Sequence, residues 1–583
     1  FFFKQKTAYE ISTRDWSSDV CSSDLHRLMH RVLPFVFWLF LQSVYGSDVL
    51  PDWWKQHAEP GNRATWREEL GEKILGQVVL SRKEILTPGG EWEQWFRLWQ
   101  WLKLTEDPVF DDRRDLLAQL GANPELLNAL FENLQEEDRI PGVISILCEM
   151  QRNNPEDLKS LPRLAVALAL VFDQPIPEGW PHGQVRRGSI PAETPDPVQR
   201  MHSMTILQKE RRYLLDLRDL MVNELKYVVD HPLSESELEW ARKNVTASRS
   251  GFGKVFSSIR YDIPRFERNI LTWPYPSYSL AEIRQRGGIC VDQAYFAAMS
   301  GKAKGLPTLF FTGQGDSGGH AWFGYLESPG RWETDCGRYE QENYPVGEAL
   351  DPQSWKPISD TELIFLAKNR ERSSTYKQAR LWTDYASSLG RKEAAAWIQE
   401  ALAIQPEYLP AWDLKADLLD QGNSSLLEKK TFWEEFIKRF ATYPDLKVQG
   451  QQKLLGLVRA TGDAKETAFL ERQILVQNRT RRFDLGIGAA AGQVGEKMQA
   501  GDWDGATASY RTALREYKGQ VGGHLFYGLV LPFVEAALAE GQIQTAKNAL
   551  AEARRVFKPT QETLVGRSFA LLDEKIAEGD RKK

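Results

Sequence analysis

The stretch from Gly287 to Asp335, GGICVDQAYFAAMSGKAKGLPTLFFTGQGDSGGHAWFGYLESPGRWETD, decides how this chain is read. Cys290 follows two glycines and opens a run with helical apolar spacing: Val291, Ala294, Tyr295, Ala298 and Met299. A thiol at a helix N-terminus feels the positive end of the helix dipole, which favours the nucleophilic thiolate. Gly287 and Gly288 remove side-chain bulk where a substrate backbone would have to approach. His320 follows in HAWFGYL, whose alternation predicts a strand with Ala321, Phe323 and Tyr325 on one face. Asp335 closes a second strand-like segment, RWETD. Cys, His and Asp are the residue types of a thiolate–imidazolium pair oriented by a carboxylate. A lone cysteine is otherwise a small core hydrophobe.

Context sharpens this set. The GGxC turn, the alanine-rich segment after it, Ala303-Lys304-Gly305-Leu306-Pro307 before a strand, His320-Ala321-Trp322, and an Asp after a Trp are all present. Over roughly residues 246–358 the chain resembles the transglutaminase-like superfamily, whose fold is related to papain-type thiol enzymes. The resemblance implies an α+β core with Cys290 as nucleophile, His320 as general base and acid, and Asp335 as the orienting carboxylate. Glu333 and Asp316 lie near enough in sequence to compete for that third role. It further implies that the chain before the nucleophile lines the acyl cleft, with Gln285 or Trp273 joining the Cys290 backbone N–H as oxyanion donor. The reaction would be acyl transfer through a thioester to water or to an amine. Helical appendages incline the reading toward hydrolysis of a peptide or amide bond. The other reading is a non-catalytic envelope scaffold that works through its helices.

The remainder of the chain sets the frame. A 583-residue chain exceeds one core and implies several domains. Its 74 Lys+Arg against 80 Asp+Glu supply no basic stripe for nucleic acid. Residues 1–28 are set aside, because FFFKQKTAYEISTRDWSSDVCSSDL resembles a translated sequencing-library adapter. Residues 29–46 then read as a cleaved signal peptide: His30 and Arg31, an apolar run from Val32 to Leu41, and Val44-Tyr45-Gly46. That run is shorter than the ~20 residues a membrane span needs, so a secreted or periplasmic protein with no remaining span is expected. Cys148, Cys290 and Cys336 remain, an odd number that excludes a full disulfide framework.

Residues 47–174 read as helices, and Trp92, Trp95 and Trp99 mark one helical face, a buried one rather than a sugar platform. Cys148 sits among apolar residues and reads as core. Prolines punctuate residues 175–197, a linker or long surface loop in which His182 reads as solvated. Residues 198–245 read as a helical pair packed on the core, the first helix running from about Val198 to Val229 and the second capped by Ser234 and Glu237.

GQGDSGGH, residues 313–320, is followed by a strand and not a helix, so it reads as a flexible loop and not a dinucleotide fingerprint. Cys290, His320, Asp335 and Cys336 lack the close-spaced pairs of a zinc site, and a Cys290–Cys336 disulfide is the other role open to them. No Walker-type loop or HExxH motif is present, and no cofactor or metal is expected. Residues 361–583 resemble degenerate tetratricopeptide repeats: Ala394/Ala401, Ala506/Ala513 and Ala546/Ala553 are spaced by seven, as small residues between paired helices. A repeat solenoid would either offer a groove to a protein partner or buttress the thiol domain. The expected molecule is therefore multidomain and mainly α, with one α+β core between two helical regions, acting on a protein or peptide.

Overall fold

The computed structural model describes residues 63–581, apart from 178, 181, 187–188, 190–195, 317, 369–371, 521 and 562. The adapter-like and signal segments lie outside the described residues. The fold is mainly helical, with one small antiparallel sheet. The chain forms two compact units. Of the described residues, one takes those within 63–176, 196–230 and 372–405; the other takes those within 177–189, 231–368 and 406–581.

The first unit is built around the helix Pro162–Phe172, whose sequence from Leu164 on, LAVALALVF, is apolar on every side, as a central helix must be. Leu164 to Val171 are almost wholly buried in it. Cys148 is fully buried in the neighbouring helix Ile140–Asn153, as its apolar setting predicts. In the helix Glu91–Leu104, Trp95 is buried, while Trp92 and Trp99 are half-buried under the ammonium groups of Lys73 and Lys103. Arg97, on the same helix, is buried and pairs with Asp384 at 2.8 Å. Asp384 lies on Ser374–Ala386, a helix of the region read as repeats, and so belongs with the N-terminal helices. The long helix expected from Val198 to Val229 is interrupted. Pro197–Lys209 is followed closely by Arg211, in the left-handed region at φ 55°, and the helix resumes at Val222–Val229.

The second unit holds the sheet. Its strands are β1 (Thr308–Gln314), β2 (Gly319–Ser328), β3 (Arg331–Cys336), β4 (Glu348–Leu350) and β5 (Pro357–Ser359), in the order β3-β2-β1-β4-β5. Residues 313–320 are a tight hairpin and not a loose loop: Gly313 pairs with His320, and Gly315 N–H donates to Gly318 O at 2.8 Å. β2 carries the alternation read from its sequence, yet both faces are covered, so Ala321, Trp322, Phe323, Tyr325 and Leu326 are all buried. The Cys290–Ala303 helix and the 3-10 turn Phe252–Ser258 pack against β2, with Phe252 against Phe323 and Tyr325.

From Leu409 onward successive helices pack against one another, as Leu426–Arg439 does against Pro444–Thr461 and Phe483–Gln499 against Trp503–Glu516. Ala506, Ala513, Ala546 and Ala553 are buried between them, as their seven-residue spacing requires. This array also reaches the hairpin: Gly523 N–H donates to Gly315 O at 2.9 Å. No described helix is long and apolar enough to cross a membrane.

Candidate functional site

Cys290 is the first residue of the helix Cys290–Ala303, as its sequence context predicts. The two glycines before it serve the chain's own packing. Gly287 has φ +83°, and a Cβ there would lie 2.4 Å from Arg260 O. A Cβ on Gly288 would lie 2.4 Å from Asp292 Cβ. With both side chains absent, Gly288 N–H bonds Arg260 O and Asp262 N–H bonds Gly288 O, each at 3.0 Å. The turn before the thiol is thereby stitched to the Arg260–Asp262 segment.

The Cys290 sulfur accepts from the backbone N–H of Ala321, next to His320 on β2. Burial pushes the thiol upward, and the neighbouring Asp292 carboxylate adds to this; the N–H groups of Ala321, Val291 and Cys290 oppose it without prevailing. The dipole-favoured thiolate expected from the sequence is thus outweighed by desolvation.

His320 is buried in β2. Its Nε2 lies 2.7 Å from Gly337 O. A carbonyl only accepts, so Nε2 carries the proton and Nδ1 keeps the lone pair. Burial lowers the imidazole pKa, and the bond to Gly337 partly restores it. Tyr339 stacks on the ring with centroids 3.9 Å apart. Its phenol, pushed up to about 12 by burial, also feels the charge of Cys290. Thiol and imidazole therefore share one neighbourhood, and both rest in their neutral forms.

The other site residues read from sequence sit differently. The Asp335 carboxylate is exposed and pairs with Arg338 at 2.7 Å, while His320 bonds the Gly337 carbonyl. Arg338 also bonds Asp360 at 3.0 Å and Tyr344 O at 2.6 Å. Asp335 thus steadies the loop that carries Gly337 and Tyr339. Trp273 is fully buried with both N–H groups spent, the indole on Ser277 O and the backbone on Gln184 O. Gln285 lies exposed on the helix Leu280–Arg286. Neither is set as an oxyanion donor here. Tyr261 and Tyr344 were missed as neighbours of the thiol. Their hydroxyls are raised by burial and by the charge of Cys290, which keeps them protonated as donors. Both fall in ordinary aromatic loops, so only their long-range contacts reveal them.

Cys336 does not bridge to Cys290; both thiols are free. Cys336 lies against Gly253, and burial pushes it up to about 12. Among the described residues, no three His, Cys, Asp or Glu side chains converge as a metal site. His182 is not solvated: Nε2 meets Tyr278 Oη at 2.9 Å, Phe310 stacks on its ring, and burial lowers its pKa to about 3. A separate cavity of about 530 Å³ lies between the edge of the sheet and the C-terminal helices, lined by Gln314, Glu348, Asp445, Gln452, Asp484 and His524 among others.

Compared with family models, curated proteins and solved structures, the chain matches none.

Proposed function

We propose that the protein is a thiol acyl-transfer enzyme of transglutaminase-like type, secreted or periplasmic, that favours hydrolysis of peptide or amide bonds over cross-linking. One observation carries the reading. His320 is pinned through Nε2–H to Gly337 O, which leaves the Nδ1 lone pair as a base, and the helix-terminal Cys290 accepts from the N–H of Ala321, the next residue on β2. In the reaction, His320 Nδ1 takes the Cys290 proton as the sulfur attacks the carbonyl carbon. The same proton passes to the departing amine, leaving a thioester. Water then gives a proton to His320 as it attacks the thioester carbon, and His320 returns that proton to the departing Cys290 sulfur, releasing the acid; an amine in water's place gives a new amide. The protonated hydroxyls of Tyr261 and Tyr339, both within the electrostatic reach of the sulfur, are the donors best suited to a developing oxyanion.

The resting protonation state favours a second reading. A buried, neutral thiol is also what a non-catalytic scaffold would keep, with the paired helices and the acceptor-lined cavity receiving a protein partner. The test incubates the full chain with a peptide mixture and a primary amine, and reads the products by mass spectrometry. Cleaved peptides are expected, and they should vanish in Cys290→Ala and His320→Ala. Products that persist without the thiol, or no product at all, remove the enzyme reading in favour of the scaffold.

A further inference from the structure

The cavity at the edge of the sheet carries a chemistry that acyl transfer does not use. Its volume of about 530 Å³ suits a small molecule or one or two side chains of a peptide. Gln314 at the end of β1 and Glu348 at the start of β4 form one wall. The helix Pro444–Thr461 gives another, its lining residues Asp445, Val448, Gln449 and Gln452 falling on a single helical face. The helix Phe483–Gln499 adds Asp484 and, one turn on, Gly488. The last wall includes a π-helical turn, Phe526–Val530, of a kind that recurs at functional sites. Glycine weakens a helix interior, yet a Cβ at Gly488 would meet nothing within 4 Å. Packing does not call for glycine there, and the space it leaves belongs to the cavity.

The lining is acidic and only partly compensated. It contains no lysine or arginine. Buried Arg482 holds Asp445 at 2.6 Å and Asp484 at 2.7 Å, and so offsets one of these two carboxylates. Glu348 has no ion-pair partner among the described residues. Burial pushes its carboxyl upward, the Asp484 carboxylate adds to this, and Arg482 opposes it. His524, kept neutral by burial, adds no positive charge. Three carboxylates against one guanidinium leave two negative charges. At the same wall the side-chain oxygen Oε1 of Gln314 is shut off from water and accepts no hydrogen bond from a described residue. The acidic groups do not converge: among the described residues no three His, Cys, Asp or Glu side chains meet as a metal site. Charges spread along a wall are matched by separated cations and not by one metal ion. We propose that this cavity binds alkylammonium groups joined by an aliphatic stem, one facing Glu348 and another the Asp445–Asp484 pair, with the methylenes against Val346, Val448 and Leu485. A free polyamine and the lysines of a peptide both present that chemistry. The site lies outside the thiol's residues and goes beyond the acyl-transfer reading.

The experiment is titration calorimetry on the full chain at about 0.15 M salt, where diffuse attraction to an acidic surface is screened. The probes are spermidine, the peptide acetyl-Lys-Ala-Lys-amide, and pentane-1,5-diol as an uncharged stem. One of the two amines should bind and the diol should not. Tighter binding of spermidine assigns a free polyamine; tighter binding of the peptide assigns a basic protein segment. Glu348→Gln, a change at the mouth of the site, should weaken binding roughly tenfold. Gly488→Leu, with folding checked by circular dichroism, fills the cavity and should abolish it. Absence of binding by both amines, equal binding of the diol, or affinities unchanged in both variants overturns the proposal. Cys290→Ala should bind as the wild type does, so a failure here leaves the acyl-transfer reading untouched, and a failed peptide assay leaves this site standing.

Discussion

At Cys290 and His320 the deciding quantity is solvation. A helix N-terminus offers the thiolate a few tenths to one kcal/mol, whereas moving a charge out of water costs several. The free thiol should accordingly alkylate with a midpoint above the ~8.5 of an exposed cysteine, the opposite of an ion-paired thiolate. Measurement of the labelling rate from pH 6 to 11 decides this. Asp335 supplies a second residue-scale contrast. Because its carboxylate pairs with Arg338 in solvent, Asp335→Asn should cost less than about threefold in kcat/KM, where loss of a direct triad carboxylate costs roughly 10⁴-fold. A large loss in the peptide assay would return Asp335 to the imidazole.

His182 gives a signed pH dependence. Its folded pKa of about 3 lies below the ordinary value, so the unfolded chain binds the extra proton first. The stability held at neutral pH is lost as pH falls through the unfolded value toward the folded one. At pH 5 this group alone should cost about 2 kcal/mol. Urea midpoints at pH 7 and 5 should differ by less in His182→Gln than in the wild type.

Among the elements, the loop between β3 and β4 matters most, because it supplies the carbonyl that orients His320. Gly337 stands at φ +93°, and a Cβ would lie 2.6 Å from the Phe256 ring. Gly337→Ala should lower stability by at least about 1 kcal/mol and activity by more, since the displaced carbonyl is the imidazole's acceptor. A melt alongside the peptide assay separates the two effects; full activity in the alanine variant would contradict the assigned tautomer. The turn before the thiol follows the same logic. Its glycines were legible as a need for close approach, but the approaching groups are the chain's own Arg260 carbonyl and Asp292 side chain. Strand periodicity correctly marked β2, while the covering of both its faces came from segments distant in sequence, Phe252 among them.

In the whole molecule, the helices after Glu371 divide between the two compact units, which a linear reading of one repeat region did not anticipate. Ser374–Ala386 completes the first unit: Asp384 pairs with buried Arg97, Trp382 bonds Leu86 O, and Tyr385 bonds Val78 O. Asp384→Asn removes the nearer carboxylate of buried Arg97, leaving Glu93 at 3.8 Å, and should destabilise by about 2 kcal/mol. Thermal unfolding would show this as a clear drop in Tm, and an unchanged Tm would mean that Arg97 finds solvent.

By itself the sequence determined the helical character, the alternating strand around His320, the helix that begins at Cys290, and the small-residue positions between paired helices. Each is a local pattern whose period is set by backbone geometry. It also picked out Cys290 and His320, because a thiol after a glycine turn and a histidine heading a strand are local arrangements. Only the tertiary structure decided that both rest neutral, that Gly337 and not Asp335 bonds the imidazole, and that His182 is enclosed beside Tyr278. Those outcomes depend on desolvation and on partners tens of residues apart, and neither burial nor a long-range hydrogen bond leaves a periodic trace in the chain.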